Sequence, residues 1–368
     1  MNYLLKNKDT PLLSFTLTPS EEIAEIRWAE KAAQPPSLQH CGDLGAWLRA
    51  RRAPETRPNI ALCARQDGIA SFRDYLDKTC CLSLRDSLWV TKEDDRRRYA
   101  DVSPYRGKLD RRTAETALWG HSELPEEAVP SPEYSTPGSR PKCWEKGPTG
   151  RLFLVRRASS PNTREPHSDY YVPQLLQALG VERYAHYDLT QRNGEICSLS
   201  RCFTDELLGF LPISQLGLGD DLAALEQYYR KYHQFRFLRK MFLADALTLN
   251  PSRRPDKFGF QAVNGSRGII WGAPLFGHGD ALLSKAPEEV FTSPAKLEDY
   301  ASSLTPALGD DFISVARFFS SDRDLELLSH IRSDFSFRPH PEHPLPPHIL
   351  DALSALVRTQ AGRILEHA

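Results

Sequence analysis

Cysteine and histidine are the residue types whose spacing in this chain could build a metal site. A structural zinc site needs close pairs such as Cys-x-x-Cys together with a matching second pair. The seven cysteines are scattered without such a pair or a matching histidine spacing: Cys41, Cys63, Cys80, Cys81, Cys143, Cys197 and Cys202. We therefore expect reduced, structural thiols rather than a zinc centre.

Charge is nearly balanced, with 47 lysines and arginines against 48 aspartates and glutamates and a net charge of -1. A balanced chain has no overall field that draws it to nucleic acid or to an anionic membrane. Arginines 96–98, with Arg111 and Arg112, form one local basic patch. Runs of like charge are mostly solvated faces, and no helix-turn-helix pattern is found, so we expect no direct nucleic-acid binding.

The N-terminus contains Lys6, Lys8 and Asp9 before any apolar stretch long enough for a signal peptide. No later apolar run approaches the roughly 20 residues that a membrane helix needs. We therefore expect a cytoplasmic protein without membrane association. With 368 residues, of which 40% are hydrophobic, the chain is long enough for two or three packed units.

The first part of the chain, residues 1–124, reads as a small α+β unit. Residues 3–5 and 11–17 predict two short strands around a turn, and mixed helical segments follow to about residue 120. Residues 125–150 are dense in proline and glycine, which forbids a continuous helix or a central strand. This segment is predicted to be a long loop or a linker.

Residues 151–210 predict a second α+β unit, because a strand candidate at 151–156 precedes a helix that opens at Pro166 and closes before Gly180. Asn193-Gly194 then predicts a hairpin, since both residues tolerate positive φ. Residues 211–368 are mainly helical in pattern. A long helix, with or without one break, is expected over 221–249, and a final helix over about 348–365.

Four segments, in this order, resemble the HipA-like kinases of bacteria. Residues 3–11 match the Y-L-L-x-x-K-D-x-P motif of one branch, with one extra residue before the aspartate. Residues 81–90, CLSLRDSLWV, are similar to G-L-S-L-x-D-x-Y-W-[IV], and this is the most diagnostic stretch. Residues 131–169 resemble the family's nucleotide-binding lobe, and residues 243–282 resemble its catalytic segment.

The resemblance implies an α+β, protein-kinase-like fold of HipA type. It would have an accessory N-terminal α+β subdomain (1–124), a loop or linker (125–150), a small mixed α/β N-lobe (151–210) and a helical C-lobe (211–368). It also implies ATP and Mg²⁺ as cofactors. HipA-like kinases often work beside a separately encoded helix-turn-helix protein, so the expected partner is a protein, such as a related kinase or a regulator.

In the nucleotide-binding lobe, the family's phosphate-binding lysine sits in a pattern like L-[IV]-K-G-G, and the corresponding residue here is Arg156. The charge is kept, but a planar guanidinium is not equivalent to an ammonium. The glutamate of the family's E-P-x-N-E corresponds to Asp169, which could still pair with Arg156. This pair is either a structural strut or part of a nucleotide site.

The catalytic segment of the family reads roughly D-x-x-x-x-N-x-D-R-H-x-x-N-x-G-F. Asp245, Asn250 and Arg253 match this pattern, as do Gly259 and Phe260. Three working positions differ: Ser252 replaces the catalytic aspartate, Arg254 replaces the histidine, and Asp256 is interpreted as the replacement of the metal-binding asparagine. A neutral hydroxyl does not accept a proton as a carboxylate does.

A second metal-binding aspartate of the family lies within P-[IL]-F-D-x-G-x-S-L, and Gly277 stands at its position. Asp280 follows three residues later and, with Asp256, is the remaining candidate metal ligand. The tentative nucleotide-binding set is Arg156, Asp169, Asn250 and Asp256. Because the catalytic carboxylates are replaced, the leading hypothesis is a pseudokinase with a binding or regulatory role. The alternatives are an active, atypical Ser/Thr kinase and an interaction module that binds no nucleotide.

Overall fold

The computed structural model describes residues 1–29, 34–125, 130–266 and 268–366. Its N-terminal part contains an antiparallel sheet in the order β3-β2-β1-β4, together with short helices. The strands are β1 (Asn2–Asn7), β2 (Thr10–Leu17), β3 (Ile23–Trp28) and β4 (Leu88–Lys92). The helices are α1 (Pro36–Gln39), α2 (Leu44–Arg49), α3 (Ile60–Gln66), α4 (Phe72–Thr79), α5 (Tyr99–Val102) and α6 (Arg111–Trp119).

Alternation of buried and exposed side chains explains the first two strands, both of which were predicted. Tyr3 and Leu5 of β1, with Leu13 and Phe15 of β2, point into the core of the N-terminal part. The start of α4 is capped by Ser71, whose hydroxyl accepts a hydrogen bond from the Asp74 backbone N–H.

A second antiparallel sheet has the order β5-β6-β8-β7. Its elements are β5 (Lys142–Lys146), β6 (Leu152–Arg156), α7 (Glu165–Ala178), β7 (Tyr187–Arg192) and β8 (Glu195–Arg201). The predicted hairpin between β7 and β8 is confirmed, with positive φ at Asn193 and Gly194. The prediction of a loop or linker at 125–150 was wrong at β5, because the stretch between Pro141 and Gly147 is free of proline and pairs as an edge strand with β6.

The C-terminal part is mostly helical and also contains a small sheet in the order β11-β10-β9, which the sequence did not predict. Its strands are β9 (Leu208–Pro212), β10 (Gly259–Val263) and β11 (Ile269–Gly272). Its helices are α8 (Leu222–Lys231), α9 (Phe235–Thr248), α10 (Pro294–Ser302), α11 (Phe312–Phe319), α12 (Asp322–Asp334) and α13 (Pro347–Glu366). The helical segment expected at 221–249 breaks at His233, where φ is +56°.

Residues 81–90 join the N-terminal part to the rest of the protein. Leu84 packs against Trp144 and Leu154 of the second sheet. The Leu84 carbonyl accepts a hydrogen bond from the Thr204 hydroxyl at 2.5 Å, and the Arg85 carbonyl accepts one from the Phe210 N–H at 2.6 Å. The most diagnostic stretch of the sequence is therefore a docking segment that orients the N-terminal part against β9 and the second sheet.

All cysteines are free thiols, and five of the seven are buried. Burial raises the pKa of these thiols, as at Cys63, where it reaches about 12. In the part of the chain that the structure describes, every helix is too short or too polar to span a lipid bilayer.

Glu133 is a buried residue whose carboxyl group accepts a hydrogen bond from the Trp144 N–H of β5. Its ionisation should make the free energy of unfolding depend on pH. Burial raises its pKa from 4.5 to about 7, against the opposing effects of Arg57 and of the Trp144 N–H. Between these two values the folded state holds a proton that the unfolded chain has lost. The free energy of unfolding should therefore fall by up to about 3 kcal/mol as the pH rises through this window.

We expect Glu133→Gln to remove this contribution, because the amide does not ionise. Urea unfolding of the wild type and the variant across the window measures the difference between their pH profiles. Glu123→Gln is the matched control, since Glu123 is exposed. Parallel profiles for Glu133→Gln and the wild type would contradict the prediction.

Candidate functional site

A cleft lies where the second sheet and α7 face the loops that follow α9 and β11. Its polar end is a cavity of about 130 Å³. Charged side chains from the second sheet, from α7 and from the loops after α9 and β11 line this cavity. They are Arg140, Lys142, Arg156, Glu165, Asp169, Asp256, Lys257, Asp280 and Lys285. The cleft contains every tentative nucleotide or metal ligand predicted from the sequence except Asn250, which lines a separate small cavity behind α9.

Asp169 on α7 is the centre of a buried ion-pair cluster. The expected contact with Arg156, at the end of β6, is present at 3.7 Å between Nη1 and Oδ2. A shorter contact comes from Arg140, whose Nη1 donates to the same Oδ2 at 2.8 Å. The Ser198 hydroxyl also donates to Oδ2, at 2.9 Å. Sequence reasoning missed Arg140 because it lies in the proline-rich segment that was assigned to a linker.

The electrostatics of this cluster favour an ionised Asp169. Burial raises the pKa of this carboxyl, but Arg140 and Arg156 outweigh that effect and lower its pKa below the ordinary value. The guanidinium of Arg156 also lies over the ring of Tyr187, with 5.4 Å between its Cζ and the ring centroid. Arg156 is therefore held between a carboxylate and an aromatic ring at the back of the cleft.

Hydrogen bonds to the carboxylate of Asp245 hold the loop that follows α9. Arg253 donates to both carboxylate oxygens of Asp245, from Nε at 2.7 Å and from Nη2 at 2.9 Å. Asn250 Nδ2 donates to Asp245 Oδ1 at 2.8 Å, and Arg253 Nη1 donates to the Phe276 carbonyl at 2.7 Å. The side chain of Asn250 is thus engaged in holding the loop.

Ser252, the residue at the position of the motif's catalytic aspartate, is contacted by a lysine. The ammonium group of Lys257 donates to the Ser252 hydroxyl at 2.8 Å. Counting through the sixteen positions of the catalytic motif from Asp245 to Phe260 puts Lys257, rather than Asp256, at the second asparagine. The assignment of Asp256 to the second asparagine was wrong by one residue. The residue at that position of the motif is Lys257, which carries a basic side chain where the motif has an asparagine.

The side chain of Asp256 lies at the outer rim of the cleft. Its carboxylate accepts hydrogen bonds from Arg254 at 3.2 and 3.3 Å, and both side chains are substantially exposed. This is a surface ion pair between residues two apart. The Asp256 carboxylate therefore contacts Arg254 rather than Asp280, the other candidate metal ligand.

Asp280 is neutralised by two lysines. Its Oδ1 lies 2.6 Å from Lys285 Nζ, and its Oδ2 accepts a hydrogen bond from Lys257 Nζ at 3.3 Å. Burial raises the pKa of Asp280, but the two ammonium groups lower it well below its usual range. At Gly277 the backbone φ is +72°, and an added Cβ would meet only the side chain of Lys257, at 3.9 Å.

These residues do not fit Mg²⁺. That ion requires near-octahedral oxygen ligands, commonly one or two carboxylates with water and phosphate. Within the described ranges, no group of three or more His, Cys, Asp or Glu side chains could hold a metal ion. Both oxygens of Asp280 already contact ammonium groups, those of Lys285 and Lys257.

A second, apolar cavity of about 110 Å³ adjoins the polar one and shares Lys142, Arg156 and Phe276 with it. Its walls include Trp144 and Tyr187 and the aromatic cluster of Phe203, Phe210 and Phe276, whose ring centroids lie 5.3 to 5.8 Å apart. An aromatic pocket beside a cationic one suits a ligand with a flat ring and a phosphate group.

The guanidinium groups also fit an anion. Arg140 Nη2 and Arg156 Nη1 are buried and make no hydrogen bond to any described residue. Such N–H groups match phosphate oxygens in geometry and charge. The cleft therefore fits the phosphates of a nucleotide such as ATP, although it does not fit the metal that accompanies ATP in kinases.

The whole architecture is similar to that of a solved protein from a toxin–antitoxin system. HipA of Shewanella oneidensis MR-1, in a structure of a toxin–antitoxin system with HipB and operator DNA, is similar over 98% of this chain and 97% of its own. The TM-score is 0.51 and the sequence identity is 12%. The chain has a HipA-like kinase fold.

The HipA-like fold is shared at low sequence identity. The Helicobacter pylori proinflammatory kinase CtkA is 18% identical, with a TM-score of 0.48, over 61% of this chain and 91% of that protein. No family model and no curated protein matches the sequence. The HipA-like, two-lobed α+β fold that the motifs predicted is confirmed. The roles of individual site residues remain predictions.

Four basic residues of the cleft were missed by sequence reasoning: Arg140, Lys142, Lys257 and Lys285. A signal existed for the first two, because the sequence Ser-Arg-Pro-Lys at 139–142 follows Pro137-Gly138 directly before a strand of the nucleotide-binding lobe. Both residues line the polar cavity of the cleft. Lys285 had no such signal, because its contact with Asp280 depends on the path of the chain after β11.

Proposed function

We propose that this protein is a pseudokinase, a HipA-like fold used for binding or regulation without phosphoryl transfer. The observation that carries the proposal is the contact between Ser252, Lys257 and Asp280. Phosphoryl transfer needs a carboxylate to orient the attacking hydroxyl and metal ions to neutralise the transferred phosphate. Here Ser252 stands at the position of the base, and Lys257 donates hydrogen bonds both to Ser252 and to the carboxylate of Asp280.

The motif residues that remain support this reading. Asp245, Asn250 and Arg253 form a buried hydrogen-bonded unit that holds the loop in shape. Arg156 and Asp169 form part of another buried unit. We propose that these groups keep the cleft in place for a ligand or a partner. ATP belongs to the proposal as a bound ligand, and Mg²⁺ does not.

The partner in this proposal is a protein, such as a related kinase or a regulator. A cavity of about 640 Å³ opens beside the cleft and shares Pro137, Gly138, Ser139 and Asp256 with it. A partner segment could reach the cleft through this opening. The HipA structure contains HipB and operator DNA, but the balanced charge of this chain supports no direct contact with nucleic acid.

The proposal predicts that purified protein incubated with radiolabelled ATP and Mg²⁺ transfers no phosphate to itself or to mixed protein substrates. ATP hydrolysis should also stay at the level of the buffer. The reason is that neither a base carboxylate nor a metal site is present at the described positions. Phosphate incorporation that requires Mg²⁺ would contradict the proposal and favour the atypical-kinase alternative.

A reconstituted variant sharpens this test. Ser252→Asp, Lys257→Asn and Gly277→Asp together restore the motif's ligands, and an aspartate at position 277 has space and tolerates positive φ. The variant should gain stabilisation by ATP that depends on Mg²⁺, measured by thermal unfolding. If the wild type already shows the same Mg²⁺ dependence, the three replacements are not what removes the metal site.

A further inference from the structure

We propose that the cleft binds the phosphates of a nucleotide through protein cations alone, with the ammonium groups of Lys257 and Lys285 in place of Mg²⁺. This inference rests on the proposed function, since it concerns the same cleft. It goes further by naming the ligand class and the groups that replace the metal.

The first step is the charge around Asp280. One carboxylate contacts two ammonium groups, at 2.6 Å from Lys285 and 3.3 Å from Lys257. Lys285 is also 3.7 Å from Glu165 and is about half exposed, so its remaining N–H donors can turn toward the cavity. Lys257 and Lys285 together face two carboxylates, Asp280 and Glu165. An ammonium group has three N–H donors, so each lysine can still donate to a phosphate oxygen while it keeps its contact with Asp280.

The second step is the excess of cations in the whole cavity. Five cationic side chains line it: Arg140, Lys142, Arg156, Lys257 and Lys285. Of the four carboxylates in its lining, Asp256 pairs with Arg254 at the rim. That leaves Glu165, Asp169 and Asp280 inside. The cavity thus holds more positive than negative groups before any ligand binds.

The third step is the buried donors that lack partners. Arg140 Nη2 and Arg156 Nη1 are each without a hydrogen bond to the described part of the chain. A buried N–H without a partner is costly, and a phosphate oxygen satisfies it with a charge-assisted bond. Lys142 is 5% exposed, and burial together with the repulsion of nearby arginines lowers its pKa well below the usual value. An anion would relieve that repulsion.

The fourth step identifies the rest of the ligand. The apolar cavity with Trp144, Tyr187 and Phe203 meets the cationic cavity at Arg156 and Phe276. A ligand with a flat ring system for the apolar cavity and phosphates for the cationic cavity is a nucleoside polyphosphate. Both oxygens of Asp280 contact lysines, so this carboxylate is not free to hold Mg²⁺. Mg²⁺ in solution should therefore compete with the lysines for the phosphates of the nucleotide rather than assist its binding.

The experiment measures binding of ATP, adenosine and inorganic tripolyphosphate to the full chain by calorimetry, in excess EDTA and in excess Mg²⁺. We expect ATP to bind in EDTA, to bind no better with Mg²⁺, and to bind more tightly than adenosine or tripolyphosphate. Lys257→Ala and Lys285→Ala should each weaken ATP binding in EDTA by about tenfold, the loss of one charge-assisted hydrogen bond.

The control is Lys296→Ala, because Lys296 is exposed on α10 and lines neither cavity. Lys285→Ala protects the test against misfolding, since Lys285 is half exposed. Three results would overturn the inference: ATP binding that requires Mg²⁺, no ATP binding in either condition, or binding in EDTA that neither lysine variant weakens. Absence of ATP binding would overturn this inference and the place of ATP in the proposed function, but not the proposed lack of phosphoryl transfer. Phosphate transfer would overturn the pseudokinase proposal.

Discussion

Replacing Arg253 by alanine is expected to lower the free energy of unfolding by about 3 to 5 kcal/mol. Arg253 and Asp245 are 3% and 7% exposed and share two hydrogen bonds. Without the guanidinium, a buried carboxylate retains only the Asn250 amide as a side-chain donor among the described residues. The Phe276 carbonyl also loses its donor, which loosens the backbone that leads into Gly277.

The neighbouring residue provides the control for this experiment. Arg254 is 54% exposed and pairs only with Asp256 among the described side chains, so Arg254→Ala should change stability by about 0.5 kcal/mol or less. Urea unfolding followed by circular dichroism measures both variants. Similar, small losses for the two variants would show that Arg253 does not hold the loop together.

Arg51→Ala is the second change with a large expected effect, again about 3 to 5 kcal/mol. Arg51 is 1% exposed, and its two terminal nitrogens contact the two oxygens of Asp86 at 2.7 and 2.8 Å. It also donates to the carbonyls of Cys81 and Leu88. Removing Arg51 takes away the side-chain donors of Asp86 among the described residues and leaves its carboxylate with only the Leu88 N–H, in the segment that docks the N-terminal part.

A double variant separates this loss of partners from simple loss of packing. Arg51→Met with Asp86→Leu removes both charges and should recover most of the stability that the single change loses, because no buried charge is left unpaired. Arg65→Ala is the surface control, since Arg65 is exposed. Unfolding free energies for the wild type, Arg51→Met, Asp86→Leu and the double variant give the coupling between Arg51 and Asp86. A coupling near zero would contradict the prediction.

Much of the local structure could be predicted because short-range patterns determine it. The Asn193-Gly194 turn, the alternating strands β1 and β2, and the final helix α13 each depend on residues close together in the chain. The edge strand β5 was missed because proline and glycine on both sides obscured five residues without either. In the sheet of β9, β10 and β11, the pairing of β9 with β10 was missed because α8 and α9 separate these two strands in the sequence.

The candidate site was predicted unevenly for a similar reason. The replacement of the motif's aspartates by Ser252 and Gly277 is visible in the sequence itself. The groups that now surround those positions are not visible there. Arg140 reaches Asp169 across 29 residues, and Lys257 reaches Asp280 across 23 residues. Such contacts depend on how the loops cross the cleft, and no periodicity encodes them.

The sequence by itself predicted the HipA-like order of segments and the replacement of the carboxylates on which phosphoryl transfer depends. Only the tertiary structure decided what stands in their place: two lysines on Asp280, two arginines at Asp169, and an aromatic cavity beside them. The physical reason is that the identity of a side chain is local information. The charge balance of a buried cleft is the sum of groups brought together from distant parts of the chain.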